Sequence, residues 1–376
     1  MSFLTLSYFL CLLAMHSFFA SYYMSVITIP ESLNGQDSWL IGLIVGVMGI
    51  TGMVTRPFVG VLLDLNFPKK LFLFFGSIGV GCAFLGYYYS DNLLVMTTLR
   101  LLQGTATAMF TTTLSVVVSG YVPASKRGIG LGIFQSSSAL SQVYAALLAV
   151  WMINNMSLEI GFLASAIFSF IACIFVLFLK IDRQPLKLDN FQFTNAQWIS
   201  SHGLLPALIF TTQTLTFGAI IAFLPSISLE RGLGNPGLFY TVYAITMFIM
   251  RFGSGYLSDV FGRKQVMLPA LISSSFALVL IAFTDSQSLL LLAAIFYGIG
   301  FASVQVVGFA VLIDATPSQF HGSALATYTN AWDIGGFFGA VIVGLLIEAS
   351  GFSMAFMFCA CLPIGAIFVL NKLSLK

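Results

Sequence analysis

Arg56-Pro57-Phe58-Val59-Gly60-Val61-Leu62-Leu63-Asp64-Leu65-Asn66-Phe67-Pro68-Lys69-Lys70 leads out of one apolar run and into the next, and the chain then repeats it. The second copy reads Arg251-Phe252-Gly253-Ser254-Gly255-Tyr256-Leu257-Ser258-Asp259-Val260-Phe261-Gly262-Arg263-Lys264. Arg, Gly, Asp and Lys recur at one offset of 195 residues: 56 to 251, 60 to 255, 64 to 259 and 69 to 264. A further echo, at an offset of 194, pairs Gly104, Pro123 and Gly128 with Gly298, Pro317 and Gly322. Self-similarity at a fixed period marks a duplicated architecture, so the chain reads as one unit written twice.

The surroundings of the two copies show what is duplicated. Of 376 residues, 59% are apolar, 15% aromatic and 7% charged, against roughly 25% charged in soluble domains. So few charges cannot coat a water-exposed surface. A bilayer helix needs about 20 mostly apolar residues, and the apolar runs predict twelve. Six lie at about 4–29, 38–63, 71–90, 93–121, 129–153 and 158–180. Six more lie at about 198–229, 236–257, 266–284, 287–312, 321–348 and 351–371. The expected fold class is all-α and membrane-integral: twelve transmembrane helices in two pseudo-symmetric six-helix bundles, residues 1–180 and 198–376, joined by a polar linker at 181–197. Phe3 to Ile29 lacks the basic start of a secretory signal and has twice the length of its apolar core, so it reads as the first spanning helix.

Orientation follows from Lys and Arg, which collect in loops that stay cytoplasmic. One set of loops holds Lys69 and Lys70, Lys126 and Arg127, Arg183 and Lys187, and Arg263 and Lys264, and the tail holds Lys372 and Lys376. The opposite set holds Glu31, Asp37, Asp91, Glu159, Glu230, Asp285 and Glu348, with Arg231 as its lone cation. Both termini are therefore expected in the cytoplasm of a cell whose inner membrane the chain crosses. Trp39, Trp151 and Trp198 fall near helix ends, where interfacial belts form. A net charge of +2 without basic runs gives no reason to expect nucleic acid. The five cysteines, Cys11, Cys82, Cys173, Cys359 and Cys361, lie in apolar runs without metal-ligand spacing and are expected to be small buried hydrophobes.

The Gly, the Asp four residues later and the basic residues after them resemble the loop signature of the major facilitator superfamily, and the chain carries it in both halves. Arg100-Leu101-Leu102-Gln103-Gly104 resembles that superfamily's Arg-x-x-Gln-Gly motif. The resemblance covers essentially the whole chain at the level of topology. Phe67 stands where the loop signature usually has Gly, as Gly262 does in the second copy, and Pro68 stands at a common basic position. The first loop is therefore expected to be tuned differently. Gly60 and Gly255 allow close helix approach, and Asp64 and Asp259 are placed to cap a neighbouring helix N-terminus. The resemblance implies that Gly60, Asp64, Lys69, Lys70, Arg127, Gly255, Asp259, Arg263 and Lys264 steady one conformation and let go in the other.

Charges within hydrocarbon are costly and mark function. Asp333 is the only carboxylate near the middle of a predicted helix, and two readings stand for it: a protonatable group that couples transport or meets a cationic substrate, or a structural hydrogen-bonding residue. Arg100 lies about seven residues inside helix 4. By resemblance it faces a central cavity and influences proton coupling; alternatively it braces its helix by bonding carbonyls. Gln103 shares its face. His16 is midway along helix 1 and titrates near neutral pH in general, with Tyr22 and Tyr23 one to two turns on. Gln135, Gln142, Gln213, Gln305, Asn330 and Trp332 complete the predicted pathway, a set of amides and aromatics that suits a mixed, moderately apolar ligand.

No Gly-x-x-x-x-Gly-Lys-Ser/Thr, His-Glu-x-x-His or Gly-x-Ser-x-Gly run occurs, so neither ATP hydrolysis nor catalysis is expected, and no cofactor or metal is implied. The expectation is a monomeric secondary transporter in the lipid bilayer that moves a small molecule by alternating access, with a proton as coupling ion. His321-Gly322-Ser323-Ala324-Leu325-Ala326-Thr327-Tyr328 resembles bacterial drug and metabolite efflux members, which favours export of a drug, metabolite or metallophore. The Gly-Pro antiporter motif expected on helix 5 is absent. Uptake of a sugar, amino acid or organic acid is the competing transport reading, and a non-transporting receptor or scaffold the competing class.

Overall fold

The computed structural model describes residues 4–33, 38–123, 126–181, 199–234 and 237–372. Asp37, Arg183, Lys187, Trp198, Lys376, the rest of the predicted linker beyond residue 181 and the side chain of Trp39 lie outside the described residues. All regular structure among the described residues is helical. The first six helices are α1 (Leu6–Ser32), α2 (Ser38–Asp64), α3 (Lys69–Tyr89), α4 (Leu93–Tyr121), α5 (Arg127–Asn155) and α6 (Leu158–Phe178). Four more follow: α7 (Ser201–Glu230), α8 (Gly237–Phe261), α9 (Arg263–Phe283) and α10 (Gln287–Ala315). A 3-10 turn, Ser318–Phe320, leads into a last helical stretch, His321–Lys372, which Gly351 breaks with φ 78° and ψ 171°. Residues 321–350 form α11 and residues 352–372 form α12.

The boundaries have local causes. Asn92 caps α4, its side-chain oxygen accepting from the N–H groups of Leu94 and Val95 at 2.9 and 3.3 Å, the usual service of Asn at a helix start. Ser157 caps α6 through the N–H of Ile160. At the end of α2 the Phe67 N–H reaches back to the Leu62 carbonyl and the Asn66 N–H to that of Leu63, with Asn66 left-handed at φ 62°. That is the αL stop for which Asn is the usual substitute for Gly. The predicted starts of α3, α5 and α9 are two or three residues late, and the predicted ends of α8 and α10 three or four residues early, because charged loop ends stay helical beyond the apolar stretch.

Ten stretches among the described residues are long and apolar enough to cross a membrane. One of them, Ser318–Lys372, has 55 residues and contains the break at Gly351; at about 1.5 Å per residue it has length for two crossings. α8 is long enough, but Arg251, Tyr240, Tyr243, Thr241 and Thr246 dilute its hydropathy. The protein is a multi-pass membrane protein.

Packing gathers the chain into two compact units, one comprising Met1–Pro123, Leu140–Ser200 and Thr316–Thr329, the other Ala124–Ala139, Ser201–Ala315 and Asn330–Lys376. In the first, Ala20, Met24, Ala145 and Ala149 pack α1 on α5, and Phe18 stacks on Phe110 at 4.0 Å. In the second, α7 meets α11 along small residues: the Thr214 hydroxyl donates to the Ala331 carbonyl at 2.6 Å, and a Cβ on Gly218 would lie 2.7 Å from the Gly335 carbonyl oxygen. Between membrane helices such close approach replaces the hydrophobic drive available in water. Cys11, Cys173 and Cys359 are buried as expected, whereas Cys82 and Cys361 are exposed; on a lipid-facing surface a thiol needs no cover from protein, so apolar context alone did not place them inside.

Candidate functional site

In the first unit the two loop-end elements α2 and α11 are joined by a carboxylate on backbone. Asp64 accepts the Gly322 N–H at 2.7 Å and the Ser323 N–H at 2.9 Å, one on each oxygen. A negative group at the positive end of a helix gains from both the free N–H groups and the dipole. Glycine makes the approach: a Cβ on Gly60 would lie 2.6 Å from the Ala326 Cβ and 2.8 Å from the Gly322 carbonyl oxygen. In the second unit Asp259 accepts the Ile129 N–H at 3.3 Å, at the start of α5. Ile129 corresponds to Ser323 at the offset of 194 already seen in the sequence, so the cap is duplicated.

The two caps have different surroundings. Arg263 donates to Asp259 and to the Ser258 hydroxyl, each at 2.6 Å, and to Asp314 at 3.0 Å; Arg127 donates to Asp314 at 2.9 Å. At the same offsets the first unit has Pro68 for Arg263, Gly120 for Asp314 and His321 for Arg127. His321 pairs its Nε2 with the Thr316 carbonyl at 3.0 Å. The missing loop glycine is accommodated as well: the left-handed residue moves from the position of Gly262, φ 98°, one place earlier to Asn66, and the Phe67 ring packs on Phe72 at 5.1 Å. Lys70 caps the end of α6 through the carbonyls of Leu177 and Leu179. Gly255 accepts from the Ser258 hydroxyl, while Lys69 and Lys264 are half-buried at the starts of α3 and α9. Asp314 was missed by sequence reasoning, which ended helix 10 at about residue 312 and left the next acid in an unread loop.

Arg100 is held between two helices. It is 6% exposed, donating to the carbonyls of Ile44 and Val45 on α2 at 3.3 and 2.7 Å and to the Gln103 side-chain oxygen at 2.9 Å. Tyr87 donates to the same Gln103 oxygen, and Gln103 Nε2 has no partner among the described residues. This is the bracing geometry of the alternative reading, between α2 and α4. His16 pairs with the Tyr144 hydroxyl of α5 at 2.9 Å. Tyr22 and Tyr23 are half-buried against Phe19 and each other, and Tyr23 also flanks the α1–α5 core. Gln142 is half-buried with Oε1 unpartnered among the described residues.

In the second unit Asp333 is 8% exposed on α11, one turn from Asn330. Trp332 is half-buried, its ring centroid 5.4 Å from Phe210, 5.9 Å from Phe217 and 5.4 Å from Phe301; Tyr243 and Tyr297 extend the cluster. Gln213 accepts from Ser274 at 2.8 Å, and Gln213 Nε2 has no partner among the described residues. Gln305 and Gln135 converge on the guanidinium of Arg251. The aromatics at 210, 217, 243, 297 and 301 went unread because they are ordinary in a chain with 38 Phe and 13 Tyr. Their spacings of seven and four residues were the only available signal. Among the described residues no group of three His, Cys, Asp or Glu is placed to hold a metal.

Duplicated caps, buried charge and membrane-length helices find their counterpart in one family. The profile of the Major Facilitator Superfamily matches residues 8–240 and again residues 206–374. The chain belongs to this superfamily. It is similar to the staphylopine export protein of Staphylococcus aureus, 26% identical over 353 residues that make up 88% of this chain and 86% of that one. An uncharacterized MFS-type transporter of Methanocaldococcus jannaschii is 23% identical over 353 residues, 90% of either chain. The fold is also that of the human organic anion transporter MFSD10, with a TM-score of 0.84 at 14% identity, covering 96% of this chain and 98% of that one. As a Major Facilitator Superfamily member the protein is a transporter and not an enzyme, and the pocket chemistry to explain is recognition rather than bond breaking.

Proposed function

We propose that this superfamily member is a proton-coupled exporter of a small organic solute, a drug, metabolite or metallophore. It works as a monomer in the cell inner membrane, with both termini cytoplasmic. Twelve crossings form two six-helix bundles, residues 1–180 and 198–376, joined by a linker at 181–197, and alternating access moves the solute. Likeness along nearly the full length to a staphylopine export protein supports export. The observation that carries the mechanism is the duplicated cap, Asp64 on the start of α11 and Asp259 on the start of α5. Each joins a helix of one half to a helix of the other, so a cycle that moves the halves breaks both.

Asp333 is assigned the coupling proton, with Asn330 and the rigidly packed Trp332 as ligand contacts on the same helix. His16, paired with Tyr144, is a further candidate on the pathway. Arg100 is assigned a brace and no proton.

The test is the purified protein in liposomes carrying an internal pH dye, with candidate drugs, metallophores, sugars and amino acids added singly and no gradient imposed. Proton movement opposite to an added solute, lost in D333N, is the expected result. Movement in the same direction as the solute would assign uptake instead, and counterflow unchanged in D333N would remove Asp333 from coupling.

A further inference from the structure

We propose that Arg251 is a buried latch on α5, made in the conformation seen here and released during the transport cycle. The side chain is 1% exposed, at a depth on α8 where a charge is costly and retained for a purpose. Its guanidinium donates to the Gln135 carbonyl, to the Ser138 hydroxyl at 3.0 Å and to the Gln305 side-chain oxygen at 2.6 Å. Two of these acceptors are on α5 and one is on α10. The α5 backbone comes close enough because Gly132 has no side chain: a Cβ there would collide with the Arg251 carbonyl oxygen.

Two features separate a latch from a brace. Arg100 bonds α2 and its own helix, all within residues 44–103, and no movement of the halves needs to disturb it. Arg251 instead bonds a helix from the other half of the duplication. Finally, these three acceptors are neutral, so exchanging them during the cycle leaves no carboxylate stranded in hydrocarbon. The planar fork that reaches two helices at once is a property of Arg and not of Lys.

Hydrogen exchange of the full chain in lipid nanodiscs, read by mass spectrometry on native protein, R251K and S138A, tests this. The latch predicts that both variants raise exchange in residues 127–139 by roughly ten-fold while residues 321–330 stay as in the native protein. Unchanged protection of 127–139 in both variants would overturn it. Equal loss of protection across α5, α8 and α10 with a lowered midpoint would overturn it too, since that is the signature of a brace. Should R251K fail to fold, S138A decides alone, because it keeps Arg251 and its α10 acceptor and removes one of the two α5 acceptors.

Discussion

A single charge in a membrane helix is legible in sequence, but its office is not. Asp333 and Arg100 looked alike as candidates, each an ionizable group inside an apolar run. Arg100 has three acceptors at 2.7–3.3 Å within α2 and α4, so Arg100→Lys, which cannot span them, is expected to cost on the order of 3 kcal/mol through lost charge-assisted bonds. Thermal unfolding should show that loss, with the pH profile of transport unmoved; a displaced profile would return Arg100 to the proton path. Asp333→Asn keeps the shape and removes the titration. It is expected to leave the thermal midpoint near native and to abolish counterflow of protons in the liposome assay. No periodicity argument distinguishes these cases, because what decides is whether neighbouring helices offer carbonyls, and sequence does not report neighbours. Asp64 is the contrary case: a carboxylate four residues after a glycine at a helix end has few partners other than a nearby helix start, and the cap was expected and is present.

Helices in this fold meet where one of them lacks a side chain. A Cβ on Gly322 would lie 2.6 Å from the Asp64 carboxylate and closer still to the Gly60 carbonyl oxygen, whereas one on Gly120 would meet nothing within 4 Å. Gly322→Ala is therefore expected to destabilize the α2–α11 contact by about 1–3 kcal/mol, as overpacking does. Gly120→Ala, in open space on a helix, is expected to stabilize by about 0.5–1 kcal/mol. Thermal midpoints of the two variants check the pair; equal and small shifts would mean that α11 yields easily to α2. Both glycines look the same in the sequence, which is why the repeat located the elements without grading their contacts. The substitution of Phe67 for the loop glycine was visible too. Its solution, a left-handed Asn66 one residue earlier, depends on the backbone reach of the α2 stop and only the structure supplied it.

Across the whole molecule the duplication is old in plan and unequal in detail. One cap is Asp64 on backbone N–H groups with the Lys69 charge nearby; the other sits in a chain of charges from Arg127 through Asp314 and Arg263 to Asp259. These side chains are 12–38% exposed, so salt reaches them, and the screening length falls from about 10 Å at 0.1 M to about 3 Å at 1 M. Raising the salt should thus accelerate hydrogen exchange at the start of α5 more than at the start of α11. The asymmetry traces to three positions, Pro68, Gly120 and His321, where the second copy has Arg263, Asp314 and Arg127. Gly120 is exposed with open space around its missing side chain, so the first unit has room for a carboxylate where the second has Asp314. The double variant P68R/G120D is expected to build such a network, with Arg at 68 bridging Asp64 to the new carboxylate as Arg263 bridges Asp259 to Asp314. Protection at residues 321–326 should then rise and become more salt-sensitive, and turnover should slow because a contact that opens in each cycle has been strengthened. Protection that stays native, in level and in response to salt, would mean that the two halves of the duplication no longer share a loop geometry close enough to exchange their locks.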